Sequence, residues 1–262
     1  MSQLTFDAAA AKSMEAIYTT PDVVAQRARV LELLAPTPGE RLLDVGVGPG
    51  LLALDLARLV GASGRLVGLD LAPAMVAIST MRLAELPQAE IWAGDATNLE
   101  LPDASFDAAV STQVYEYVAD MPRALSELHR VLRPGGRTVI LDTDWRSLVW
   151  HSSDPGRMDR MLACWDDHLA DPHLPAKLGP LLRQAGFEVR QVEIVPMLSP
   201  RWQPVSYAGG MIRSIRSFVR SHGQRFGLPP EDQDAWWSDQ EALIAADEFF
   251  FSVNRYAFLA TR

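Results

Sequence analysis

The chain has 262 residues, 48% of them hydrophobic, and a formal net charge of −9. That length and composition support one well-buried core without requiring two domains. The acidic balance argues against a nucleic-acid partner held by phosphate neutralisation, the lone Cys164 excludes a disulfide framework or a multi-cysteine metal site, and no apolar run approaches the ~20 residues of a membrane helix.

The opening residues, MSQLTFDAAAAKSMEAIY, place Asp7, Lys12 and Glu15 where a signal peptide would be apolar, so a cytoplasmic protein with no membrane partner is expected. Residues 7–34 read as helical with a break near Thr20, where Pro21 opens a second helix. A first strand, Arg41–Val45, runs through the glycine loop into helix Leu51–Val60, which Gly61 closes. Strand Arg65–Asp70 precedes a helix opening at Pro73; Ile91–Gly94 and Phe106–Ser111 are the third and fourth strands. A helix with Ala124, Leu125, Leu128, Val131 and Leu132 on one face then leads to a fifth strand, Arg137–Asp142.

Strands separated by helical crossovers predict a doubly wound, mostly parallel α/β sheet. Phe187–Val195 and Phe249–Ala260 extend it to seven strands, the last one antiparallel. Residues 200–246, rich in tryptophan, proline and arginine, are expected to form a helical lid, with Arg157–Ala170 as a second lid helix. The chain thus reads as one domain over 1–262: a helical cap at 1–38, the core sheet at 39–199 and 247–262, and the lid at 200–246.

In such a sheet ligands bind beyond the carboxyl ends of the strands, where the loop LLDVGVGPG lies. As a dinucleotide fingerprint it fails: Leu51 stands where the third glycine belongs, and Pro49 removes an N–H that phosphate would need. Asp44 precedes the loop, Asp70 ends the second strand and Asp95 follows the third, with no lysine nearby. Three acids at successive strand ends describe a pocket for a cationic nucleoside, and S-adenosylmethionine meets that description: a sulfonium, an amine and a ribose without phosphate. Taken singly, the glycine turn is only a turn, and Asp44 or Asp70 only a helix cap.

LLDVGVGPG, VGLDLAPAMV, AGDATNLELPDASFDAAVS and HRVLRPGGRTVILD resemble, in order and spacing over roughly residues 15–145, the successive motifs of class I S-adenosylmethionine-dependent methyltransferases. The branch they look most like is that of the ubiquinone/menaquinone-biosynthesis methyltransferases. The resemblance implies a Rossmann-like fold, S-adenosylmethionine as cofactor and S-adenosylhomocysteine as product. By position it implies that Gly46, Gly48 and Gly50 wrap the methionine moiety with Asp44 near its amine, and that Asp70 holds the ribose hydroxyls. Leu71 or Met75 would pack on the adenine, Asp95 with Ala96 would meet its edge, and Gln113 would line the sulfur end. An N-terminal helix would bring Tyr18 over the cofactor and Arg27 to the methionine carboxylate, against the plainer reading of a packing tyrosine and a solvated arginine. Val47 departs from the small residue or cysteine common in the family.

The expected acceptor is a small metabolite, apolar or aromatic given Trp202, Tyr207, Trp236 and Trp237 in the lid region, methylated on O, C or N. His151, just past LDTDWRSLVW, is the leading acid–base candidate and His168 the runner-up. The run Asp166-Asp167-His168 is expected to be a solvated helix face, and no metal site is expected. Arg213, Arg216 and Arg220 form a basic helical stripe, either a solvated face or a clamp for an acidic substrate. Two other functions stay open at this point: a nicotinamide-dependent oxidoreductase, disfavoured by Asp44, Pro49 and Leu51, and a cofactor-binding protein that transfers no methyl. A homodimer is compatible with either.

Overall fold

A computed structural model describes residues 14–262. The earlier part of the expected N-terminal helix, residues 7–13, lies outside the described residues; residues 14–18 are helical, and α1 (Pro21–Leu34) carries its proline in the first turn. The chain then alternates: β1 (Arg41–Val45), α2 (Leu51–Val60), β2 (Arg65–Asp70), α3 (Pro73–Leu83), β3 (Ala89–Ala93), β4 (Phe106–Thr112), α4 (Met121–Val131) and β5 (Leu132–Trp150). After β5 come α5 (Pro155–Asp166), α6 (Leu174–Gln184), β6 (Glu188–Ser199), α7 (Tyr207–His222), α8 (Pro230–Ala245) and β7 (Phe251–Thr261).

The seven strands form one sheet in the order β3-β2-β1-β4-β5-β7-β6. β1 to β5 pair in parallel, and β7 runs antiparallel between β5 and β6. Alternation along β1 feeds both faces of the sheet. Leu42 packs with Val30, Ala53 and Leu56 of α1 and α2, whereas Leu43 packs with Leu125 and Leu128 of α4 and Leu178 and Leu182 of α6. Strand order reverses between β1 and β4, and a crevice opens there beyond their carboxyl ends.

A third apolar cluster joins α5, α7 and α8 to Trp150 of β5, Met197 of β6 and Phe251 of β7. Trp236 is fully buried in it, edge-on to Trp150 at 5.7 Å between ring centroids, and the Trp150 indole N–H donates to Gln240 Oε1 at 2.9 Å. The helices of residues 200–246 are therefore fastened to the sheet by a core of their own.

One element differs from the sequence reading, and one lies in a stretch that reading leaves unassigned. β5 does not end at Asp142: past an irregularity after Asp144 it pairs again with β7, Val149 opposite Ser252 and Trp150 opposite Phe251. The helix α6 carries Pro175, Gly179 and Pro180, residues that read as breakers, yet it buries Leu174, Leu178 and Leu182 against the sheet. Burial of three leucines outweighs the local propensity there.

Candidate functional site

The crevice continues into a cavity of about 870 Å³, whose wall includes the glycine loop, His168 and Arg255. The loop's backbone answers the phosphate question directly. Gly46 and Val47 N–H both donate to Leu69 O, at 2.7 and 2.8 Å, Gly50 N–H donates to Val47 O at 3.0 Å, and Pro49 has no N–H. The remaining amide, Gly48, donates to Asp70 Oδ2 at 2.8 Å. With every loop donor engaged and a carboxylate at its centre, the loop offers a phosphate nothing to bind and presents negative charge instead.

The glycines serve different ends. Gly46 (φ +77°) backs against Val114, and Gly48 (φ +53°) has open space where a Cβ would stand, on the cavity wall. That open space is the cradle a ligand backbone would fill. Asp70 is held by two amides, its Oδ1 accepting from Ala72 N–H at 2.8 Å. Burial still raises its carboxyl above the ordinary value against those hydrogen bonds.

The cavity wall also carries Leu71, Met75, Ala96, Asp95 and Gln113. Met75 is buried and Leu71 exposed at the rim. One oxygen of Asp95 is engaged by Thr97, through N–H at 2.8 Å and Oγ1 at 2.9 Å. Gln113 stands in the left-handed region (φ 59°), an uncommon place for a glutamine. Its Oε1 accepts from Thr143 Oγ1 at 2.8 Å, while its Nε2 is buried without a partner, a donor left for a ligand.

Tyr18 and Arg27 reach the same wall. Burial pushes the Tyr18 phenol up to about 12, so it stays protonated. Arg27 is largely committed elsewhere: Nε pairs with Asp55 at 2.9 Å and Nη1 donates to Tyr18 O at 3.3 Å. Asp44 lies behind the loop rather than on the wall. It is 2% exposed, its Oδ2 has no partner, and burial together with the nearby Asp70 charge raises its carboxyl to about 7.

The histidines exchange roles. His151 is exposed in a separate surface cleft of about 460 Å³ with Trp150, Ser152 and Asp159, because the extended β5 carries it away from the crevice. His168 is buried and lines the cofactor cavity, contrary to the expected solvated face. Its Nδ1 sits against Trp165 O, and its Nε2 is buried with no partner. Burial lowers its pKa to about 4, so it is neutral with Nε2 as the open acceptor. The arginine stripe is a lid surface: Arg213 is exposed, Arg216 lies 4.0 Å over the Trp237 ring, and Arg220 pairs with Asp234 at 2.8 Å. No cluster of potential metal ligands exists among the described residues.

The site fits S-adenosylmethionine on these grounds: an open glycine cradle, a wall carboxylate held for hydroxyls, an orphan Gln113 amide and an unpartnered acid behind the loop. A methyltransferase domain model matches residues 43–140. A 2-phytyl-1,4-naphtoquinone methyltransferase from Thermosynechococcus vestitus is 35% identical over 61% of this chain and 76% of its own length. The chain belongs to the class I S-adenosylmethionine-dependent methyltransferase family. The methyltransferase is also 32% identical, over 94% of its length and 70% of the relative's, to an uncharacterized 37.1 kDa protein in transposon TN4556 of Streptomyces fradiae. Other 2-phytyl-1,4-naphtoquinone methyltransferases match over about half of their own length, 48% in one case. Among solved structures, the [4+2]-cyclase SpnF aligns with the methyltransferase at a TM-score of 0.61 and 26% identity, covering 92% of this chain and 80% of that one.

Sequence reasoning missed Arg255 of β7. The signal was present: Phe251, Val253, Arg255 and Ala257 share the buried register of that strand, and a cation among apolar alternates asks for a reason.

One prediction arises at Asp44. Its raised pKa contributes stability that is full below the ordinary 3.8 and is lost as pH rises through about 7. A cationic ligand beyond the loop favours the ionised form and reverses that loss. Cofactor binding at pH 6 should therefore release about one proton, read by calorimetry in buffers of different ionisation enthalpy. Asp44→Asn should abolish the release; an unchanged value in that variant would place the proton elsewhere.

Proposed function

We propose that this methyltransferase acts on a small, largely apolar or aromatic acceptor, with O, C or N as the atom methylated. The observation that carries the reading is one continuous cavity, from the glycine loop to a wall of Tyr18, Tyr117, Val118 and His168. Its volume, about 870 Å³, lies within the range of sites for small organic ligands. Relatives named for a naphthoquinone support an aromatic acceptor.

Bound S-adenosylmethionine supplies an activated methyl on a sulfonium sulfur. The protein's part is placement. Gly46, Gly48 and Gly50 shape the cradle for the methionine moiety, Asp70 accepts from the ribose hydroxyls, and Leu71, Met75, Asp95 and Ala96 frame the adenine. Gln113 Nε2 donates near the sulfur end, and Tyr18 covers the cofactor. Arg27 is left with one guanidinium nitrogen, Nη2, for the methionine carboxylate. His168 Nε2 is an open lone pair that can accept a hydrogen bond from the acceptor. The same reading places the enzyme in the cytoplasm, in keeping with a single buried cysteine; among the described residues no helix is long and apolar enough to cross a membrane.

The similarity to a protein titled a [4+2]-cyclase favours a second reading, a cofactor-binding protein that transfers no methyl. The deciding experiment pairs calorimetric binding of S-adenosylmethionine with a screen of hydroxyarenes, quinols, amines and thiols using methyl-labelled cofactor. Binding with label in an aromatic product is expected. Binding with no incorporation across the panel would favour the second reading, and no binding would overturn both.

A further inference from the structure

Arg255 is the only buried arginine or lysine among the described residues, 1% exposed, and it lines the cavity. It stands on β7 opposite Thr143 of β5, the residue whose hydroxyl holds Gln113. Its Nη1 donates to Gln26 Oε1, its Cζ lies 4.3 Å over the Tyr207 ring, and its Nε is buried with no partner. No described carboxylate pairs with it at ion-pair distance. The nearby acids turn to other groups: Glu116 accepts from the Trp145 indole at 3.2 Å, and Asp142 Oδ1 from Val114 N–H at 3.0 Å, its Oδ2 making no hydrogen bond. Burial raises both carboxyls toward their neutral forms, and the Tyr18 and Tyr207 phenols stay protonated as well.

A buried cation without a counter-ion is costly, and it persists where an anion completes the site. Arg255 lines the cavity, whose wall also carries Tyr18 and Tyr117. We propose that Arg255 is the specificity-determining residue of the acceptor end, holding an anionic oxygen on an aromatic acceptor. The inference rests on the reading of this cavity as an acceptor site. A neutral hydrocarbon ring would leave the guanidinium unpaired, whereas a phenolate, enolate or aryl carboxylate oxygen satisfies it.

The test uses the full chain saturated with S-adenosylhomocysteine and two pairs of probes: 4-nitrophenol against 4-nitroanisole, and benzoate against benzamide. At least one anionic member should bind tighter than its neutral partner, and bound 4-nitrophenol should keep its visible phenolate band to lower pH than in buffer. Arg255→Gln should weaken the anion by about tenfold or more and leave the neutral probe unchanged, while Arg255→Lys keeps part of the preference. Preference for 4-nitrophenol assigns the oxygen to a hydroxyl; preference for benzoate assigns it to a carboxylate. Equal affinity for anionic and neutral probes, equal loss of both in Arg255→Gln, or no binding of any probe would overturn the proposal. Should the glutamine variant fail to fold, the wild-type and lysine comparison decides. Affinity for S-adenosylhomocysteine, measured in parallel, separates the two readings. Its absence sinks the methyltransferase assignment, whereas its presence without anion preference sinks only the role of Arg255.

Discussion

Asp70→Ala is expected to lower cofactor affinity by about a hundredfold or more while leaving the protein folded, as read by calorimetry beside a thermal melt. The carboxylate does two things at once. It accepts from Gly48 and Ala72 N–H, at 2.8 Å each, and so fixes the loop and the start of α3. It also presents acceptor capacity to the ribose. Hydrogen bonds to a charged group contribute about 1.5–3 kcal/mol each, and a hundredfold loss corresponds to about 2.7 kcal/mol. Both amides that Asp70 releases sit at the rim and can be hydrated, so stability should fall less than affinity. Asp70→Asn provides the internal comparison: it keeps an acceptor oxygen for one amide and should lose less. Unchanged affinity in Asp70→Ala would remove the cavity's claim to the cofactor.

Gly46→Ala should damage the fold itself. The residue has φ +77°, a conformation costing an L-residue roughly 1–2 kcal/mol, and its Cβ would collide with both methyls of Val114. Val114 has little room to yield, because its N–H is held by Asp142 Oδ1 at 3.0 Å. Overpacking of that kind costs about 1–3 kcal/mol, so a total of about 2–5 kcal/mol is expected in chemical denaturation. Gly48→Ala is the contrasting case. Its Cβ meets nothing in the protein, so only the backbone term of about 1–2 kcal/mol remains, but it projects into the space left for the ligand. The first variant should therefore lose stability foremost, the second affinity. A reversed order would mean that the loop is not shaped as described.

The contrast between these glycines shows what was legible in the sequence. LLDVGVGPG announced a strand, a tight turn and a helix, and the proline and the missing third glycine already spoke against phosphate. The sequence could not reveal that Leu69 O and Asp70 engage the Gly46, Val47 and Gly48 amides, since those bonds join segments separated along the chain. Acids at strand ends were readable because parallel strands deliver their carboxyl ends to one edge. His151 misled for a related reason. After a strand that seemed to end at Asp142, the next polar residues read as an active-site loop, but pairing with β7 is a long-range event that prolongs β5 to Trp150. His168 was hidden by two neighbouring aspartates that gave its segment a solvated look, while the aromatic rings of Trp165 and Phe218, at 4.1 and 5.2 Å, enclose it. In α6, local composition opposed a helix that only the sheet beneath it explains.

The position of β7 sets an order in time. Because β7 follows both strands in the chain yet inserts between β5 and β6, a nascent chain leaving the ribosome has those strands exposed along an open edge until β7 emerges. The glycine loop and the carboxylate of Asp70 belong to segments made long before. Arg255 arrives with the closing strand, so the half of the cavity that meets the cofactor can assemble during synthesis, and the half that discriminates acceptors is finished only when the sheet is sealed.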